Sequence, residues 1–598
     1  MRNMSFDVFA LRKKTAIKIL LKSLIWAFAL FGGLFILLLI AILGYINSSS
    51  VTMTTPDRAI LTVDLNNTIN EVKDDSLMAE VIPSSFISFN EFLTILETAA
   101  YDDRVQAIAA KISDTNLGLA QTEELYQAIL NFRKTGKKAY IFAPGFGNFV
   151  GGTSEYYLAT AFDEITMLPN TDIGLSGIGL EIPFVRSFLD KIGVTPDFYA
   201  RYEYKGGKAS FTDKFASLAF KENMNNIVAD LNRTLFAGMS KGRGAKAKEL
   251  NTFLVNEDAP VDDIKAQNNG LIDKILYEYD WINEIKSSHK AKTISFHDYA
   301  SNFYVKKGLK KIAIMVLEGV IVDSPTMSMA GEQEVILSDI LEQIEDIKQN
   351  KDVVGILVRV NSPGGSYTAS NEIWNALNRL KKEKNIPLYV SMGDYAASGG
   401  YFISLAGDKV YASNLTITGS IGVFGGKFVL EDLWNKLDIK WETFASNPNI
   451  GMLSPNSKFT DSQKKIFEAS LDRVYNDFTQ KVSISRNIDM KKMDELARGR
   501  IWTGRQAVNN GLIDEIGGIT KAFADLKIKS GISDDDSFSI VLYPKPKTLQ
   551  EKLADVVGMS SVGGVKVTGN NLGIDLKFIN VLKRLQHDAI LPPIILNY

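Results

Sequence analysis

The 598-residue sequence contains no cysteine. Disulfides, thiolate metal sites and a cysteine nucleophile are therefore excluded. The redox compartment stays open, because a chain without thiols suits either one. Histidine is nearly absent, with only His289, His297 and His587. The first two fall in a polar, Lys-rich stretch and the third lies near the C-terminus, so all three read as surface residues. A Ser-His-Asp triad needs its histidine within hydrogen-bond reach of the nucleophile, and none of these has a motif-like context. Serine chemistry here must find another base. A marked excess of charge of one sign is also missing. With 67 basic and 69 acidic residues, there is no electrostatic reason to expect nucleic acid as a partner.

The apolar and charged fractions are those of a folded globular protein, and the length calls for at least two large domains. Residues 24–46 form an uncharged, strongly apolar run, LIWAFALFGGLFILLLIAILGYI, long enough to span a bilayer as a helix. Arg2, Arg12, Lys13, Lys14, Lys18 and Lys22 precede it, with Asp7 the only acid, and the next basic residue is Arg58. The positive-inside rule puts residues 1–23 in the cytoplasm and everything after residue 47 on the far side. A cleavable signal peptide is the alternative. Its apolar region would be shorter, ~7–15 residues, with a small-residue cleavage site after it. A retained single-pass anchor is the favoured reading, and either one exports the bulk of the chain.

The rest of the chain repeats itself. NNGLID occurs at 268–273 and again at 509–514. Val105, Ile108, Glu124, Leu125, Ala128 and Ile129 align with Val353, Ile356, Glu372, Ile373, Ala376 and Leu377 at an offset of 248. Tyr156, Asp163, Gly174, Gly177 and Ala200 align with Tyr401, Asp408, Gly419, Gly422 and Ala445 at an offset of 245. Each half reads as strand, loop, amphipathic helix, strand and Gly-rich turn. In the second half these are residues 355–360, 361–366, 369–382, 388–391 and 393–400. Such alternation predicts α/β units with a largely parallel sheet. The expected divisions are a first domain at 58–286, a connector at 287–310, a second domain at 311–534 and a C-terminal extension at 535–598.

Two motifs carry chemistry. Arg359-Val-Asn-Ser-Pro-Gly-Gly-Ser366 follows a strand and opens a helix. Its paired glycines let backbone N–H groups approach a ligand oxygen, although taken alone it could be an ordinary turn. Asp394-Tyr-Ala-Ala-Ser-Gly-Gly-Tyr401 sets a serine among small residues at a strand-to-helix junction, where a helix N-terminus favours a developing oxyanion. Small residues there also suit tight packing.

Together the anchor, both repeats, NSPGGS, ASGG and the TGSIGV stretch resemble signal peptide peptidase A in its long form, within the Clp protease and crotonase superfamily. The resemblance implies an α/β fold of two tandem crotonase-like domains after one transmembrane helix. It implies Ser398 as nucleophile, backbone N–H groups of Gly365 and Gly399 as oxyanion hole, and the lysine of Tyr204-Lys205 as general base. Ser420 is implied as the hydroxyl that orients that lysine. It also implies a bacterial inner-membrane endopeptidase with periplasmic catalytic domains, degrading cleaved signal peptides and other hydrophobic peptides as a homotetramer. No metal, nucleotide or other cofactor is suggested.

The repeat divides the dyad in the same way. At the 245 offset Ser398 faces Thr153, Lys205 faces Ile450 and Ser420 faces Leu175; at 248, Gly364 and Gly365 face Asn116 and Leu117. A complete site then needs both halves docked together. Lys208 and Lys214 are rivals for the base, and all three lysines also read as solvated loop residues. After Tyr-Lys the chain runs Gly206-Gly207-Lys208, unlike the family's usual Ser-Ala and later Pro, which leaves the path of this loop open. A broader envelope quality-control protease is one alternative function. An inactive crotonase-like scaffold is another, and it would predict a degraded serine motif.

Overall fold

The computed structural model describes residues 54–66, 69–73, 87–147, 151–244, 260–302, 308–326, 333–533, 536–546 and 595–597. The apolar run at 24–46 and His587 lie outside them, and no helix among the described residues is long and apolar enough to cross a membrane.

In the first half, β1 (Ala59–Asp64), β2 (Val105–Lys111), β3 (Lys138–Ala143) and β4 (Glu164–Met167) carry near-continuous apolar residues, as strands covered on both faces must. They pair in parallel in the order 1-2-3-4. Helices α1 (Phe89–Tyr101), α2 (Leu119–Lys134), α3 (Thr153–Ala159) and α4 (Leu218–Arg243) follow or cross between the strands. A further strand, β5 (Thr195–Ala200), leaves the sheet altogether. The edges are closed by β6 (Lys274–Ile275) beside β4 and β7 (Lys292–Ser295) beside β1. The stretch 287–310, read above as a connector, thus supplies an edge strand of the first sheet.

The second half repeats the plan. It runs β8 (Lys310–Glu318), α5 (Leu337–Gln349), β9 (Val353–Ser362), α6 (Tyr367–Lys384), β10 (Leu388–Ala397) and α7 (Gly399–Ser404). After these come β11 (Lys409–Ala412), β12 (Ile417–Gly419), β13 (Phe424–Val429), α8 (Asp461–Arg486), β14 (Ile501–Thr503), β15 (Glu515–Ile516) and α9 (Ile519–Lys529). The eight-stranded sheet has the order β14-β12-β10-β9-β8-β16, with β11 also on β10 and β15 on β11. Its last member, β16 (Phe538–Tyr543), comes from the expected C-terminal extension and pairs in parallel with β8.

The repeated NNGLID motif is a latch for the long helix. The last residue of α4, Arg243, donates to Gly270 O at 2.8 Å and to the Asp273 carboxylate at 2.8 Å. The last residue of α8, Arg486, donates to Gly511 O at 3.0 Å and to Asp514 at 2.8 Å. Tyr156 and Tyr401 each donate a hydroxyl to the leucine carbonyl of the motif, at 2.8 Å. The two halves also share apolar packing: Leu357, Tyr389, Tyr411 and Ile519 belong to the same core cluster as β1–β4 and α1–α4. Strand β5 of the first half pairs antiparallel with β13 of the second.

Candidate active site

The expected turn at 393–400 is not a turn for most of its length. Strand β10 continues through Ala397 because Asn361 Oδ1 accepts from Tyr395 N–H at 3.2 Å and residues 395–397 pair with β12. The chain then reverses at Ser398, which has φ 53° and ψ −115°. Positive φ strains a non-glycine residue and is retained where the surroundings over-determine it. Here Ser398 N–H donates to Gly419 O at 2.9 Å and α7 begins at once. The hydroxyl is thereby presented at the head of the helix, half-buried.

Lys205 comes from the first half and is buried. Its Nζ lies 3.0 Å from Ser398 Oγ, 2.9 Å from Ser420 O and 2.9 Å from Ser420 Oγ. A neutral amine has two N–H donors and one lone pair. The Ser420 carbonyl can take one N–H and its hydroxyl the other, which turns the lone pair towards the Ser398 O–H. Burial lowers the Lys205 pKa to about 7, because desolvation penalises the ammonium. Lys208 instead reaches Thr212, and Lys214 is exposed. His289 is half-buried against the Tyr140 hydroxyl, 3.0 Å away, rather than a plain surface residue, and His297 is exposed.

The unusual Gly206-Gly207 pair fits this packing. A Cβ at Gly206 would sit 2.6 Å from the Phe220 ring, and one at Gly207 would sit 2.4 Å from the Phe424 ring. The NSPGG turn lies against the start of α7: a Cβ on Gly399 would come within 3.3 Å of the Gly365 nitrogen. The parallel bridge to Ile321 spends the Gly364 carbonyl and the Ser366 N–H. It leaves the Gly365 N–H turned to the other side of the turn. An apolar pocket opens beside the two hydroxyls, lined by Ile182, Phe220, Met224, Pro363, Phe424 and Ile501.

Sequence reasoning missed the groups that hold Lys205. Gly499 has φ +87°, and a Cβ there would meet the Lys205 backbone nitrogen at 2.4 Å. Arg498 pairs with Glu203 at 3.0 Å and covers the Tyr202 ring, while Arg500 pairs with Glu222 and stacks on Tyr204. Also missed was Arg359, fully buried on β9 and bonded to Glu71 and Glu124 of the first half at 2.6 and 2.7 Å. A charge inside an apolar strand run is the one signal that pointed to it, since a buried ion needs a partner. Breaking such a pair by removing one member typically costs about 3–5 kcal/mol.

Among known families, the chain matches Peptidase family S49 over residues 131–292 and 380–533, and Clp protease over 317–426. It is 30% identical over 519 residues to "Serine protease SPPA, chloroplastic" of Arabidopsis thaliana, covering 83% of this chain and 75% of that protein. It is 26% identical over 517 residues to "Protease 4" of Haemophilus influenzae, covering 82% of each.

Proposed function

The chain belongs to peptidase family S49 and is a serine protease, and from that footing we propose that it hydrolyses peptide bonds with a Ser–Lys dyad, Ser398 and Lys205. The observation that carries this reading is the 3.0 Å separation of Lys205 Nζ and Ser398 Oγ, with no histidine among the described residues that line the pocket. Neutral Lys205 takes the Ser398 proton as Oγ attacks the scissile carbonyl. The Gly365 and Gly399 N–H groups receive the oxyanion, and Lys205 returns the proton to the leaving amine. Water then releases the acyl group by the same steps, with Lys205 again as base. Ser420 orients the amine throughout.

The substrates we propose are cleaved signal peptides and other hydrophobic peptides. The apolar pocket beside Ser398 supports this class, and so does the family resemblance. The run at 24–46 with its basic flank would hold the site at the outer face of the bacterial inner membrane, where such peptides emerge. A homo-oligomer, the tetramer of the family resemblance, also belongs to this reading. Residues 440–445 occupy the repeat position of β5, yet Trp441 and Phe444 are 57% and 91% exposed whereas β5 is paired on β13. A second copy would cover them.

The test is labelling by a fluorophosphonate probe together with cleavage of a signal peptide and of unfolded casein. Wild type is expected to label and to prefer the signal peptide, and Ser398→Ala to do neither while melting normally. A labelled, active Ser398→Ala protein would remove the nucleophile assignment. Preference for casein would favour the quality-control alternative.

A further inference from the structure

Two strands of the second half deliver the site: β9 ends in the NSPGG turn and β10 ends at Ser398. Lys205 must reach them from the other half, so the halves have to be docked to within a fraction of an ångström. On the Lys205 side the docking groups are clear. Asn223 of α4 bonds both the N–H and the C=O of Ile501 at 3.0 Å, and Asp230 accepts from Thr503 Oγ1 at 2.6 Å and from Arg505. These fix α4 to β14, which lies on the β12 side of β10.

On the β9 side of the same strand lies a second attachment. Asp394 sits on β10, four residues before Ser398. Its Oδ1 accepts from the Ala120 N–H at 2.7 Å and weakly from the Gln121 N–H at 3.4 Å. Both belong to the first turn of α2, in the first half. The residue before helix α2 is Gly118, whose lack of a side chain is required here: a Cβ would overlap the Asp394 carboxyl at 2.1 Å. Gly118 has no side chain to accept from these N–H groups, and Asp394 of the other half does so instead. Around this contact Gln121 Nε2 donates to Glu71 at 3.0 Å, Arg359 clasps Glu71 and Glu124, and Glu124 accepts from Ile519 N–H at 2.9 Å. Glu318 of β8 faces the same cluster and is bonded to Val72 and Asn361.

We propose that Asp394 is a positioning residue for the catalytic serine: its carboxyl oxygen caps helix α2 across the domain boundary and sets where β10 delivers Ser398 relative to Lys205. The role rests on the Ser–Lys reading above. It requires the acceptor oxygen rather than the charge, because either protonation state of the carboxyl offers Oδ1 to the two N–H groups. Arg359 is a poor probe of the same idea, since its removal would strand two buried carboxylates and endanger the fold.

The experiment compares full-length wild type with Asp394→Ala, Asp394→Asn and Ser398→Ala on one fluorogenic peptide, with fluorophosphonate labelling rates and melting curves for each. Asp394→Ala is expected to lower kcat by roughly tenfold to a hundredfold, as for a misplaced reacting group, with KM within about twofold and labelling slowed in parallel. The pH midpoint of kcat/KM should stay where wild type has it, because Lys205 keeps its surroundings. Asp394→Asn, which keeps an acceptor, should recover most of the loss. Wild-type labelling in Asp394→Ala, or Asp394→Asn as slow as Asp394→Ala, would overturn the proposal. An Asp394→Ala protein too unstable to assay transfers the decision to Asp394→Asn, for which a loss as large as tenfold would refute it. Ser398→Ala separates the two levels: if that variant still labels, the dyad reading fails and Asp394 is not at issue.

Discussion

At the scale of single residues, the chemistry depends on solvation. An ordinary lysine has a pKa of about 10.4 and carries no lone pair at neutral pH. Burial brings Lys205 down to about 7, so a neutral amine exists where the enzyme would work. Only that form accepts a proton. Activity measured as kcat/KM should therefore rise with pH through a midpoint of about 7, losing about tenfold per unit on the acid side. Lys205→Ala should lose roughly four to six orders of magnitude in kcat, close to Ser398→Ala, because dyad members act as a unit. Lys205→Arg should not restore activity, since a guanidinium stays protonated. Lys208→Ala should keep substantial activity, as its side chain reaches Thr212 rather than Ser398. An active Lys205→Ala protein, or a midpoint left near 10, would show that this amine is not the base.

At the scale of elements, the site is made by junctions rather than by helices or strands themselves. Ser398 and Ser420 both have positive φ, 53° and 52°, at the ends of neighbouring strands β10 and β12. The bend 498–500 closes on Tyr202 and Lys205 from the other side. Gly499→Ala tests that bend. Left-handed backbone disfavours alanine by roughly 1–2 kcal/mol, and the new methyl would press on the Lys205 backbone. The expected result is a lower melting temperature and a fall in kcat larger than the stability loss explains, read from kinetics well below the melting temperature. Unchanged kcat with lowered stability would confine Gly499 to folding. The sequence showed most of these elements, because apolar runs and the repeated spacing mark strands and helices locally. It put the end of β10 several residues early. That strand is prolonged by Asn361 and β12, which are distant in sequence, and no local pattern records them.

At the scale of the whole molecule, the boundary between halves buries more carboxylate than guanidinium. Arg359 faces Glu71, Glu124, Glu318 and Asp394. Burial raises Glu124 and Glu318 to about 7 and Asp394 to about 6. These groups hold protons more tightly folded than unfolded, so their contribution to stability is fully present near pH 4 and is lost as pH rises through about 6 to 7. Between pH 5 and pH 7 the melting temperature should fall. Glu318→Gln, which keeps an acceptor for Val72 and Asn361, should flatten that fall. A melting temperature that climbs across this window would contradict the balance of charges described here.

The sequence by itself determined the α/β class, the two-fold repeat and the chemistry available. Apolar periodicity, repeated spacing and the scarcity of histidine and cysteine are local or compositional facts. Ser398 and Lys205 were named through the family resemblance and the division of the repeat, with Lys208 and Lys214 still open as rivals for the base. Tertiary structure alone decided that these two meet, 193 positions apart, at 3.0 Å. It also decided that residues 292–295 and 538–543 join the two sheets as edge strands rather than lying outside them. The contacts of Gly118, Arg359, Asp394 and Gly499 were set there too. Each of these depends on what another part of the chain brings alongside, a buried counter-charge, a helix end or a backbone in contact, and a linear pattern of residues does not carry that information.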